Sequence, residues 1–186
     1  MSTAVMPPRA DSDPVLRTEL ARLDPEPVVV PGTDMPTSTG PVLVALDDDD
    51  NAGALVRHGR RLAARFGVAL RAAYVWSGCR PPDCAHHRCC HRDLAEARRL
   101  LCELLDEHLT ADEIRQVERD VLLSADPAEA LIALSASASM LVVGSSSDRP
   151  ASPATLGATT RAILGRTRCP VLVVPYRRLS ATRVTW

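Results

Sequence analysis

From Pro41 onward the chain alternates between short, uniformly apolar runs and longer stretches of helical periodicity, and this alternation narrows the possible folds more than any other feature. Val42-Leu43-Val44-Ala45-Leu46 ends in Asp47 and reads as a buried strand. A helix is expected over 51–66. Ala52, Leu55, Val56, Leu62, Ala63 and Phe66 share one face, Arg57, Arg60, Arg61 and Arg65 the other, and Gly67 is placed to close it. Residues 68–76 read as a second strand, 93–109 as a helix with Leu94, Ala97, Leu101, Leu104 and Leu105 inward, and 115–123 as a weaker, outer strand. Asp126-Pro127 opens a third helix, with the acid as cap and proline at the first helical position. Residues 140–144 are a fourth strand, 155–166 a fourth helix and 171–174 a fifth strand. Apolar strands separated by helices predict an α/β fold: an open, doubly wound, mostly parallel sheet covered on both faces.

The first forty residues behave differently. Pro7, Pro8, Pro14, Pro25, Pro27, Pro31 and Pro36 fall there among Asp, Ser and Thr, so residues 1–40 are expected to be a largely disordered tail. One short helix is expected inside it, capped by Asp13, with Leu16, Leu20 and Leu23 on one face. The folded domain is placed at 41–176, with 177–186 as a second tail. Asp11 and Asp13 sit where a secretory signal needs its apolar stretch, and no apolar run approaches the ~20 residues that span a bilayer. A cytoplasmic location without membrane contact is therefore expected.

Composition removes whole classes of function. All 22 basic residues are Arg, which excludes the phosphate-binding Lys of a Walker A loop, a Schiff-base Lys and a kinase-type Lys together. No two of the nine glycines stand two apart, so the dinucleotide fingerprint is absent, as are GxSxG and HExxH. A net charge of -1 and 3% aromatic residues argue against a nucleic-acid surface. Asn51 and Gln116 are the only side-chain amides, and with the Ala/Arg richness this points to a high-GC bacterial genome.

Three stretches carry a resemblance: 42–47; Ser124-Ala-Asp-Pro-Ala-Glu-Ala-Leu131; and Leu141-Val-Val-Gly-Ser145 with Leu156-Gly-Ala-Thr-Thr160 and Cys169-Pro-Val-Leu-Val-Val-Pro175. In their order and spacing they resemble the universal stress protein family over roughly residues 41–175. The resemblance implies a five-stranded parallel sheet in the order 3-2-1-4-5 with helices on both faces, ATP binding in many members, and dimers commonly formed along the fifth strand. Val171–Val174 is an apolar strand between Pro170 and Pro175, so a homodimer through this edge is expected.

Granted that sheet order, strands 1 and 4 are neighbours whose connections leave in opposite directions, and a ligand belongs at their carboxyl ends. Asp47 and Gly144 would stand there, the acid to accept ribose hydroxyls and the glycine to let backbone approach a phosphate, with the helix near Gly157 pointing its positive end inward. The family's nucleotide motif, Gly-x2-Gly-x9-Gly-Ser/Thr, is half retained. Gly144 and Gly157 hold its outer positions, whereas Ser147 replaces the middle Gly and Ala158 the final hydroxyl residue. Thr159 and Thr160 follow, and Arg149 adds a charge in the loop. Contact with an adenine nucleotide is expected from Asp47, Val75, Val143 and Gly144, and from Ser147, Gly157, Thr159 and Thr160. The plain structural account is that Gly144 ends a strand, Gly157 permits close packing and Asp48, Asp49 and Asp50 form a solvated helix start.

Residues 79–91 hold Cys79, Cys84, Cys89, Cys90, His86, His87 and His91, thiolate and imidazole donors at spacings that suit zinc, though matching no specific finger. A thiol-redox pair or an unliganded loop fits the same residues. Cys102 and Cys169 read as small buried groups, and His58 and His108 as solvent-facing helix residues. Three functions follow: a nucleotide-responsive stress protein, a zinc or redox sensor, and a dimeric interaction module without ligand. No general base or nucleophile stands at the expected pocket, so enzymatic activity is not expected.

Overall fold

The computed structural model of the chain describes residues 26–34, 39–47, 49, 51–76, 93–145 and 156–175. The elements are β1 (Val28–Val30), β2 (Val42–Leu46), α1 (Ala52–Phe66), β3 (Leu70–Trp76), α2 (Leu94–Asp106), α3 (Ala111–Gln116), β4 (Glu118–Leu123), α4 (Pro127–Ser135), β5 (Met140–Gly144), α5 (Ala158–Ile163) and β6 (Val171–Val174). They build one six-stranded sheet in the order β1-β6-β5-β2-β3-β4. β6, β5, β2, β3 and β4 run parallel to one another, and β1 pairs antiparallel with β6.

Side chains leave a strand alternately toward its two faces. Val42, Val44 and Leu46 of β2 therefore pack with Leu55, Val56 and Leu101 from α1 and α2. Leu43 goes the other way, joining Leu141, Val143 and Val173 beneath Leu131 of α4 and Ile163 of α5. Burial on both faces is why β2, β5 and β6 read as unbroken apolar runs rather than alternating ones.

α1 forms much as its periodicity predicts. Ala52, Leu55, Val56 and Ala63 are buried, the four arginines are exposed, and Gly67 closes the helix at φ 67° with its N–H bonded to the carbonyls of Ala63 and Ala64. Phe66 departs from the expectation: at the last helical position, beside that turn, it is 41% exposed. The stretch 115–123 also needs correction. Residues 111–116 form α3, whose Thr110 accepts from Glu113 N while the Glu113 carboxylate accepts from Thr110 N at 2.8 Å, and the strand starts only at Glu118.

The largest correction concerns the sheet, which has six strands and not five. The added strand lies in the segment expected to be a disordered tail. Val28, Val29 and Val30 pair with Val173, Leu172 and Val171, and Val30 is buried. Pro27 and Pro31 bound this strand without interrupting it, and an edge position tolerates both. Past β1, Thr33 N donates to Thr167 O at 2.9 Å and Asp34 N to Arg168 O at 3.1 Å. Gly32 makes that approach possible, since a Cβ there would stand 2.3 Å from Arg168 O and 2.5 Å from the Cys169 carbonyl. The edge of β6, on which the expected homodimer relied, is thus covered by the chain's own β1. The short helix expected near Asp13 and the Cys/His stretch 79–91 lie outside the described residues. No described helix is long and apolar enough to cross a membrane.

Candidate functional site

β2 and β5 are parallel neighbours. The chain leaves β2 into α1, on one face of the sheet, and leaves β5 toward α5, on the other. Connections that diverge in this way open a crevice at the carboxyl ends of the two strands. A cleft of about 290 Å³ occupies that position. Ala45, Ala73, Val75 and Val143 line it from the sheet, and Leu55, Pro127 and Leu131 from α1 and α4. Ala45 and Ala73, paired across β2 and β3, contribute only methyl groups to this wall.

Polar groups gather at the strand ends and at the start of α5. Asp47, Val75, Val143, Gly144, Gly157, Thr159 and Thr160, seven of the residues singled out by sequence, all line this one cleft. Ser147 and Arg149 lie outside the described residues. Thr160 also serves the fold directly. Its buried hydroxyl donates to the Gly144 carbonyl at 2.7 Å and ties α5 to the end of β5. Gly157 N donates to Ser145 O at 2.7 Å, closing the returning chain onto the same strand end.

Sequence reasoning misses Asp49, Pro127, Leu131 and the two alanines. Asp49, expected as part of a solvated helix start, lines the cleft, and its carboxylate accepts from Asn51 N at 2.9 Å. Asn51, at the N-terminus of α1, is 4% exposed, and its Nδ2 has no hydrogen-bond partner. Asp126 caps α4 as expected, accepting from Ala128 N at 2.9 Å and Glu129 N at 3.2 Å.

Perturbed groups lie elsewhere, Arg71 and Cys169 among them. Arg71 of β3 bonds Asp120 of β4 at 2.5 Å, and that bond raises its pKa. Burial pushes the Cys169 thiol up to about 11, just before β6 at the opposite edge of the sheet. His108 follows α2 and is half-buried rather than solvent-facing, with its ring against Gly53 of α1. Among the described residues no three His, Cys, Asp or Glu side chains are grouped to hold a metal ion.

An open, doubly wound α/β sheet with a cleft at its switch point places the chain among the open α/β folds. The profile of the universal stress protein family matches residues 39–175, and the chain belongs to that family. Solved structures agree in fold. A universal stress protein from Archaeoglobus fulgidus aligns with a TM-score of 0.55 at 20% identity, over 73% of this chain and 98% of that one. A universal stress protein from the same organism in complex with dAMP aligns at 0.51 and 19% identity, over 74% and 99%. A putative universal stress protein from Pseudomonas aeruginosa aligns at 0.56 and 21% identity, over 88% of this chain and 59% of that longer one. No curated protein matches the sequence.

Proposed function

We propose that this universal stress protein is a stress-response protein that seats an adenine nucleotide of the ATP or AMP type in the cleft between β2 and β5 and responds to its presence without turning it over. One observation carries the reading: a lined cleft at the switch point, with Asp47 and Gly144 at the ends of two adjacent parallel strands. Apolar walls from Ala73, Val75, Val143 and Leu131 suit a flat purine, and a strand-end carboxylate suits ribose hydroxyls. The relative solved with dAMP lends the reading support from its own ligand. Binding rather than chemistry is favoured because neither His nor Cys lines the cleft among the described residues.

Isothermal titration of the full chain with AMP tests this. Binding is expected, with Asp47→Ala and Gly157→Val each weakening it at least about tenfold, or ~1.4 kcal/mol. The absence of both heat and thermal shift at millimolar AMP would reject it.

A further inference from the structure

Of the fifteen residues of α1, five are Arg or His and none is Asp or Glu. Arg57, Arg61 and Arg65 recur at every fourth position and are all exposed, so they form one ridge on the side turned away from the sheet. At a rise of about 1.5 Å per residue the ridge runs about 12 Å, with an arginine about every 6 Å. Like charges one turn apart repel, and Arg61 has one on either side. Several other exposed arginines are neutralised within the chain: Arg60 pairs with Glu113 of α3 at 2.6 Å, Arg99 with Glu103 at 3.6 Å, Arg115 with Asp112 and Arg166 with Glu129. Among the described residues no carboxylate pairs with Arg57, Arg61 or Arg65. Phe66, next in the chain after the ridge, is 41% exposed.

The chemistry of the ridge selects its partner. A guanidinium fork meets a carboxylate in two parallel hydrogen bonds, and acids at every fourth position of a helix repeat at the same spacing of about 6 Å. A nucleic acid calls for a basic field that the chain does not hold, since 23 acids balance its 22 arginines. A lipid surface calls for an apolar face turned outward. α1 turns its own inward, with Ala52, Leu55, Val56 and Ala63 buried.

We propose that the outer face of α1 is a docking surface for an acidic helix of a partner protein. Arg57, Arg61 and Arg65 meet its carboxylates, and Phe66, beside the last of them, adds an apolar contact. The surface lies on the side of α1 opposite Leu55, which lines the cleft, and the inference does not rest on the nucleotide reading.

Fluorescence anisotropy of the full chain tests it, with a labelled helical peptide bearing Glu at every fourth position of one face and Leu at its end. A Gln version of the peptide, a single-stranded oligonucleotide and phosphatidylserine vesicles are the comparison probes. The Glu peptide is expected to bind, more weakly as salt rises, and the Gln peptide not to bind. Arg57→Gln/Arg61→Gln/Arg65→Gln is expected to weaken binding at least tenfold and Phe66→Ala several-fold. Arg161→Gln/Arg166→Gln, in and after α5 on the other face of the sheet, is expected to leave it unchanged. The triple variant is expected to unfold at an equal or higher urea midpoint, because repulsion along the ridge is relieved. A lower midpoint would show that the ridge is held within the chain, and overturns the inference. So does failure of the Glu peptide to bind, binding that the triple variant leaves unchanged, or ridge-dependent binding of the oligonucleotide or the vesicles in preference to the peptide.

Discussion

Thr160 shows how one side chain can look like a ligand contact and serve as a fastener. Its hydroxyl proton is committed to Gly144 O, so the first effect of losing it falls on the fold. Thr160→Val leaves a strand-end carbonyl without that donor, and a loss of ~1–2 kcal/mol in urea unfolding is expected, with Thr160→Ser close to wild type. Cys169 offers a second test. Burial holds its thiol protonated to about pH 11, so alkylation at pH 8 is expected to be at least tenfold slower in the native chain than in denaturant. The sign of the pH effect follows from the raised value. The thiol's contribution to stability is intact below the ordinary value of 9.0 and is lost as pH rises from there toward 11. Residue by residue, Asp47 and Gly144 are legible because each ends an apolar run, and the end of a run is visible in one dimension. Asp49 is not, because four consecutive acids differ only in where the backbone turns them.

At the scale of elements, α3 and β1 escape the sequence for different reasons. Thr110-x-x-Glu113 is a capping box legible in the sequence, but the apolar periodicity of its neighbours outweighs it. Bonds to the Thr110 backbone and hydroxyl, and then Arg60, hold the Glu113 carboxyl below the usual range. A depressed carboxylate stabilises at neutral pH, and its contribution is lost as pH falls through the folded value. Glu113→Gln is therefore expected to lower the urea midpoint at pH 6 and to converge with wild type in acid. β1 carries too few residues, between two prolines, to announce itself. Its position depends on Gly32 passing the 168–169 backbone, so Gly32→Val is expected to release it. The readouts are a lower Tm, faster amide exchange in β6, and a larger mass by light scattering as the bare edge associates. An unchanged exchange pattern would show that β1 is held by other means.

For the whole molecule, ligand binding and folding are linked, because the cleft joins residues from β2, β3, α4, β5 and α5 that come together only in the native state. AMP at 100 times its dissociation constant is expected to raise unfolding stability by about 2.7 kcal/mol, an increment that a tenfold weaker Asp47→Ala site cuts to about 1.4 kcal/mol. The sequence by itself determined the α/β class, the buried strands, most helix faces, the Asp126 cap and the strand-end residues of the cleft. All of these are local patterns, written in the period of the backbone and in which residues can stop it. Only the tertiary structure decided that β1 covers β6, that Ala45 and Ala73 line one cleft, and that Asp49 and Asp126 already occupy two helix ends near it. Those outcomes depend on register between distant segments, as when Thr33 meets Thr167 across 134 positions, and such pairings leave no periodic trace in either partner.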